Sequence, residues 1–269
     1  YTFSLAVTLF SNFYIGYMVC IYCFFYFFLC YFGHSEEREN NPDRERLHFI
    51  RSGLRVAFYS LLAVGMAAVI LLGAYYSLSF GKSTFSTTKW VWSFNFDIID
   101  LLYKFLPASY DTVRPAGYPF VYCGVLTLLL IPSYFLSRKY PMRQKIAAAL
   151  FILLFVASFS LSVPDLLWHG FQRPNWLNYR YSFMLCFILT VLACRAMNEF
   201  ETVSLKAVAG TGGLLAIICV ILQNYADPDN QYMTPNDYTC IWFSLIVIAV
   251  WLAVLGLWRA RKDRQVISV

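Results

Sequence analysis

Charge is what this sequence has least of. Of its 269 residues, 13% are charged, where an ordinary soluble domain carries roughly 25%. That deficit argues against a globule whose surface is held in water by ions. Metal-ligand patterning is also missing. Cys20 and Cys23 form a C-x-x-C, but no second ligand pair and no flanking histidine accompany it, so a structural zinc site is not expected. The other cysteines, Cys30, Cys123, Cys186, Cys194, Cys219 and Cys240, also lie in or beside apolar runs. All eight read as small buried side chains, and no disulfide is expected. Internal repeats and low-complexity linkers are absent, which argues against a solenoid or tethered modules. "AGTGGLL" (Ala209 to Leu215) opens an apolar run rather than following a strand. It reads as close helix packing through small residues, not as a nucleotide loop. The chain opens on Tyr1 with no initiator methionine and no basic n-region. It is therefore expected to be an internal piece of a longer protein, without a signal peptide.

What the sequence does have is apolar length. Hydrophobic residues make up 59% of it and aromatics 19%. Seven apolar runs cover about 9–32, 54–80, 119–137, 146–163, 181–198, 207–223 and 239–258, most of them near the ~20 residues that cross a bilayer as a helix. The first of them is expected to begin with a short helix ending near Ser11 and Asn12. The expectation is an all-α, polytopic transmembrane bundle of about seven spans, forming a single domain over 1–269.

The net charge of +6 is then read by position rather than as a nucleic-acid signal. Fifteen of the 21 Lys and Arg fall in alternate links, at 33–55, 138–145, 195–206 and the tail. The other six are Lys82, Lys89, Lys104, Arg114, Arg173 and Arg180. The positive-inside rule places the first set, and the C-terminus, in the cytoplasm. The external links are then an 81–118 loop, a 164–180 polar and aromatic loop, and "NYADPDNQYMTPNDYT". Any chemistry is expected on that outer side.

Three constellations stand out there. Phe94 to Leu106 reads as an amphipathic helix at the interface, with Asp97, Asp100 and Lys104 spaced to share a face. Trp90 and Trp92 before it suit a headgroup-level anchor. "PASYDTVRPAGYPF" carries Asp111 and Arg114 on a path that proline and glycine keep out of a helix. "WHGFQRPNWLNYRYSF" (Trp168 to Phe183) packs His169, Arg173, Arg180, Gln172, Asn175 and Asn178 among Trp168, Phe171, Trp176, Tyr179 and Tyr181. Ionisable groups at a membrane edge point to function, and the guanidinium fork fits phosphate oxygens. A plain aromatic belt would not need so many amides.

"PDLLWHGFQRPNWLNYRYSF" (Pro164 to Phe183), with "SNFYIGYM" (Ser11 to Met18) and "LPASYDTVRPAGYPFVYCG" (Leu106 to Gly124), resembles the bacterial YfhO family of membrane proteins. The resemblance implies a GT-C type glycosyltransferase. Such an enzyme takes a sugar from a polyprenyl-phosphate donor at the outer face of the bacterial cytoplasmic membrane. The implied acceptor is a cell-envelope polymer such as teichoic acid. Membrane lipid is the third implied partner. Arg180, Arg173, Arg114 and His169 are then expected to hold the donor phosphate. Trp168, Gln172, Asn175, Trp176, Asn178 and Tyr179 are expected to line the substrate groove. GT-C enzymes usually carry the catalytic carboxylate in a first external loop, and the SNFYIGYM block stands at the start of this chain. That loop is expected to lie outside the sequence. The base is left unassigned, with Asp97, Asp100 and Asp111 as candidates. No cofactor is evident, and a divalent metal is left open. Two rival readings remain: a transporter or flippase of a lipid-linked or anionic substrate, and a non-catalytic membrane scaffold.

Overall fold

A computed structural model of the chain describes residues 1–33, 42–81, 90–109, 117–172, 174, 176–199, 204–225 and 237–267. At 42–44, 78, 81, 224–225, 237–238 and 262–267 the description is of the backbone. The described residues form eleven helices, and their only β pairing is the isolated bridge Phe94–Leu161. The all-α expectation holds. Among the described residues, five helices are long and apolar enough to cross a membrane: Phe13–Gly33, Glu45–Met66, Met142–Ser160, Leu205–Gln223 and Thr239–Arg261. The chain divides into two compact units.

The first unit comprises Tyr1–Asn95 and Pro141–Pro174. It holds α1 (Thr2–Ser11), α2 (Phe13–Gly33), α3 (Pro42–Met66), α4 (Ala68–Gly81), α7 (Met142–Ser160) and α8 (Ser162–Trp168). The chain breaks at Asn12, as expected, because the Asn12 side chain caps the next helix. Its Oδ1 accepts from the backbone N–H of Tyr14 and of Ile15, both at 3.1 Å, satisfying two donors that a helix start leaves without partners. Gly16 explains the glycine of the SNFYIGYM block. A Cβ there would lie 2.7 Å from Leu9 Cδ2 and 2.8 Å from Leu9 Cα, so only glycine lets α1 lie this close on α2. Leu5, Ala6 and Leu9 bury against Ala63 and Ala67. The predicted run 54–80 is two helices rather than one, joined at Ala67, and α3 starts well before it.

The packing of α2 on α7 is aromatic. Tyr22 meets Phe151 edge-on at 5.5 Å, and Phe155 stacks on Trp168 at 5.2 Å. Helix α7 stops where Leu161 turns extended. There an extended strip, 91–95, is fastened to the α7–α8 junction. Ser162 N–H donates to Ser93 O at 3.0 Å, Asn95 N–H donates to Ser160 O at 2.8 Å, and Asn95 Nδ2 donates to Phe159 O at 2.9 Å.

The second unit comprises Phe96–Tyr140 and Asn175–Val269. It holds α5 (Ile98–Tyr103), α6 (Val125–Leu136), α9 (Ser182–Asn198), α10 (Leu205–Tyr225) and α11 (Asp237–Ile267). Its tightest pairs are α6 with α9 and α10 with α11. Gly212 of the AGTGGLL stretch would put a Cβ 2.7 Å from Leu252 Cδ1, the close small-residue packing expected of it. A core of Leu129, Cys219, Leu222, Cys240 and Ile241 also takes in Tyr103 and Leu106, so α5 is anchored in the helix bundle. Two predicted runs come out short as helices, α6 with 12 residues and α9 with 17. Helix α6 starts at Val125 instead of near 119. Pro119 lies in the non-helical segment before it, and Gly124 adopts φ 93° at the junction, a conformation that suits glycine.

The expected helix over Phe94 to Leu106 is corrected: α5 has six residues. At its start, 93–95 is committed to the extended pairing. At its end, Lys104, Phe105 and Leu106 bond back three residues, not four. Pro107 then disfavours helical backbone at Leu106.

Candidate functional site

Because α5 sits in the core of the second unit, its polar side chains are enclosed rather than washed by solvent. Asp100 is 8% exposed and Lys104 2%. Asp97, at the N-cap position, is exposed. The three residues expected to share a face therefore fall in different surroundings.

Each enclosed ion has identifiable support. Tyr118 Oη donates to Asp100 Oδ2 at 3.0 Å. Lys104 Nζ donates to Ser109 O at 3.0 Å and stands 5.6 Å from the Tyr103 ring centre and 5.7 Å from that of Tyr118, within reach of a cation–π attraction. Burial pushes the Asp100 carboxyl above the usual carboxylate range, and the nearby Asp97 charge adds to this. The Tyr118 hydroxyl, the Asp97 backbone bond and the Lys104 charge pull it back. Asp100 is thus a carboxylate with raised basicity, in contact with a phenol and close to a cation. Such a group can take a proton from a hydroxyl.

The sequence reading missed Tyr118. Its signal was present in "GYPF" of the second family block, where a tyrosine follows glycine on a non-helical path. Phe96 is the other unforeseen member. Its ring meets Tyr118 edge-on at 5.3 Å and Tyr179 at 5.8 Å. These contacts join Asp100 to the aromatic loop that precedes α9. Tyr179 is buried, and its ring lies 6.5 Å from that of Tyr181.

In that loop Arg180 holds the chain itself. Its Nε donates to Leu177 O at 3.2 Å and its Nη2 to Trp176 O at 3.1 Å. Leu177 and Tyr179 have φ of 55° and 58°, and Ala108 has 61°. Left-handed backbone at a residue with a Cβ costs on the order of 1–2 kcal/mol, and such residues cluster at functional sites. Trp176 is exposed and Asn178 half-buried.

The other expected residues belong to the first unit or lie outside the described residues. Trp168 is 1% exposed, with its ring on Phe155. It is part of the packing of that unit. His169 is buried, and its Nδ1 donates to Asp165 O at 3.0 Å and stands 3.3 Å from Asp165 Oδ1. Gln172 is exposed. Phe171, at φ 63°, lies with its ring 5.7 Å from that of Trp90. Arg173, Asn175, Asp111 and Arg114 lie outside the described residues. Among the described residues, no group of three His, Cys, Asp or Glu is placed to hold a metal ion.

No curated protein and no solved structure matches the chain. The family model described as bacterial membrane protein YfhO matches residues 1–269. With its apolar helices, the chain belongs to the YfhO family of bacterial membrane proteins.

Proposed function

We propose that the chain is the core of a membrane glycosyltransferase. It moves a sugar from a polyprenyl-phosphate donor to a hydroxyl of a cell-envelope polymer, at the outer face of the bacterial cytoplasmic membrane. The observation that carries this reading is Asp100, an enclosed carboxylate of raised basicity, hydrogen-bonded by Tyr118 and linked through Phe96 to the Arg180 loop.

In this reading Asp100 is the general base. It takes the acceptor hydroxyl proton as the acceptor oxygen bonds to the anomeric carbon. The bond from that carbon to the phosphate oxygen breaks, and polyprenyl phosphate leaves with the electron pair. A base works best with a pKa close to the operating pH, so burial serves the chemistry. Tyr118 and Lys104 keep enough of the carboxylate ionised. Arg180 offers its guanidinium to the leaving phosphate as charge grows there. Arg173, Arg114 and His169 are proposed as further phosphate holders. Trp168, Gln172, Asn175, Trp176, Asn178 and Tyr179 are proposed to line the groove. Cleavage needs no strong general acid, since a phosphate held by cations is already a good leaving group.

The test is complementation. Cells lacking the full-length protein, supplied with wild type or Asp100→Asn at equal membrane levels, are compared for the sugar content of their envelope polymers. Wild type restores the sugar and Asp100→Asn does not. Restoration by Asp100→Asn removes Asp100 as the base. Unchanged sugar in the cells lacking the protein removes the glycosyltransferase reading.

A further inference from the structure

A groove of about 940 Å³ runs along α2 and α7 within the first unit. Its walls are apolar and include Phe28 and Phe32 from α2 and Leu150 and Leu154 from α7. Two oppositely charged side chains line the same groove, Glu45 and Arg143. Arg143 stands at the beginning of the candidate span Met142–Ser160, and Glu45 lies in the first turn of α3, which runs Pro42–Met66. Arg143 therefore stands at headgroup depth, with the apolar wall of α7 running inward from it, and Glu45 lines the same groove.

The length of that wall matches one leaflet. From Arg143 to Leu154 the helix rises about 16 Å at 1.5 Å per residue, and half of a ~30 Å hydrocarbon core is about 15 Å. Arg143 is exposed and makes no hydrogen bond or ion pair among the described residues, not even with Glu45 in the same groove. It stands at the second position of α7, so the positive end of the helix dipole adds to its charge.

We propose that this groove binds a glycerophospholipid with a primary-amine headgroup. One acyl chain lies along Phe28, Leu150 and Leu154, the phosphate meets Arg143 and the ammonium meets Glu45. A zwitterion supplies the anion for the arginine and the cation for the glutamate of one groove. A carboxylate accepts several hydrogen bonds at once, so Glu45 can take the ammonium beside any other contact it makes. A choline headgroup has no N–H to donate, and a glycerol headgroup has no positive charge.

The inference is independent of the glycosyltransferase reading and is tested by binding alone. The full-length protein in detergent is titrated by native mass spectrometry with phosphatidylethanolamine, phosphatidylcholine and phosphatidylglycerol of identical chains. Wild type is expected to hold phosphatidylethanolamine about tenfold more tightly than the other two, the effect of one charge-assisted hydrogen bond. Glu45→Gln should abolish that preference, and Arg143→Gln should weaken all three about tenfold. Ala147→Trp, which fills the groove, should weaken all three as well. Equal binding of the three lipids to wild type overturns the proposal without any variant. So does a preference that survives Glu45→Gln, or binding of all three that Ala147→Trp leaves unchanged. Equal losses from Arg143→Gln and from Arg51→Gln on α3 would mean diffuse attraction to the basic end and would also overturn it.

Discussion

Replacing Asp100 with asparagine should leave the protein as stable as before, or more stable, while removing its function. The amide has nearly the same shape and still accepts the Tyr118 hydroxyl, which stands 3.0 Å from Oδ2. A hydrogen bond to a charged acceptor is worth about 1.5–3 kcal/mol and a neutral one about 0.5–1.5, so roughly 1 kcal/mol is lost there. Against this, keeping an ion out of water costs several kcal/mol. Burial is the largest influence on Asp100, and together with the Asp97 charge it outweighs the Tyr118, Asp97 backbone and Lys104 contributions. The balance favours asparagine by about 1–2 kcal/mol where the carboxyl would be ionised. The sign with pH follows from the raised pKa. Asp100 holds its proton more tightly in the folded chain than in the unfolded one. The stability this contributes is complete below the ordinary carboxylate range and is lost as pH rises through the raised value. Asp100→Asn has no such loss. Thermal denaturation of both proteins in detergent, at pH 5 and pH 9, should show the variant gaining on wild type as pH rises. A variant that instead falls behind with rising pH would mean that the folded chain stabilises the ion, and the argument for a base of raised basicity would fail.

Arg180→Lys keeps the charge but not the fork that reaches Leu177 O and Trp176 O. It should lower sugar transfer, and Arg180→Ala should cost on the order of 2–4 kcal/mol of transition-state stabilisation; near-normal transfer by a well-expressed Arg180→Ala protein would refute the phosphate role. Gly16→Ala places a methyl within 2.8 Å of the Leu9 backbone and should destabilise by about 1–3 kcal/mol, read as a lower midpoint in thermal denaturation. Gly73→Ala, with open space around it, should not. For orientation, single cysteines at Ser83, Asn175 and Asn230 in an otherwise cysteine-free chain should react with an impermeant reagent added outside cells. Cysteines at Asn40, Gln144 and Gln265 should stay protected, and labelling of Asn175 from the inside alone would reverse the proposed sidedness.

The membrane bundle was legible because apolar length and the alternation of basic links are properties of composition along the chain. The break at Asn12 was legible too, since a Ser-Asn pair interrupts an apolar run. The α3–α4 junction was hidden because Ala67 carries no turn signal; Ala63 and Ala67 are buried there with Leu5, Ala6 and Leu9. The fate of Asp97, Asp100 and Lys104 was hidden for a related reason. Their spacing describes a helix face, but what covers that face comes from Tyr118, distant in sequence, and from the docking of Tyr103 and Leu106 among α6, α10 and α11. Extended pairing of 93–95 with Ser160 and Ser162 likewise removed the helix start that periodicity alone suggested. In the aromatic loop the residue types raised the expectation of a site. That Arg180 binds its own loop, and that Trp168 is core, depended on backbone conformations at Phe171, Leu177 and Tyr179 that no propensity predicts.

The central claim is tested most directly by reconstitution. The full-length protein in liposomes is given a polyprenyl-phosphate donor carrying a radiolabelled sugar and a soluble fragment of envelope polymer on the outside. The account predicts that label moves to the polymer with wild type and that Asp100→Asn lowers the rate by about 10²–10⁴-fold, the range for losing a positioned base. Movement of the intact donor across the bilayer with no label on the polymer, or equal transfer by Asp100→Asn, would contradict it.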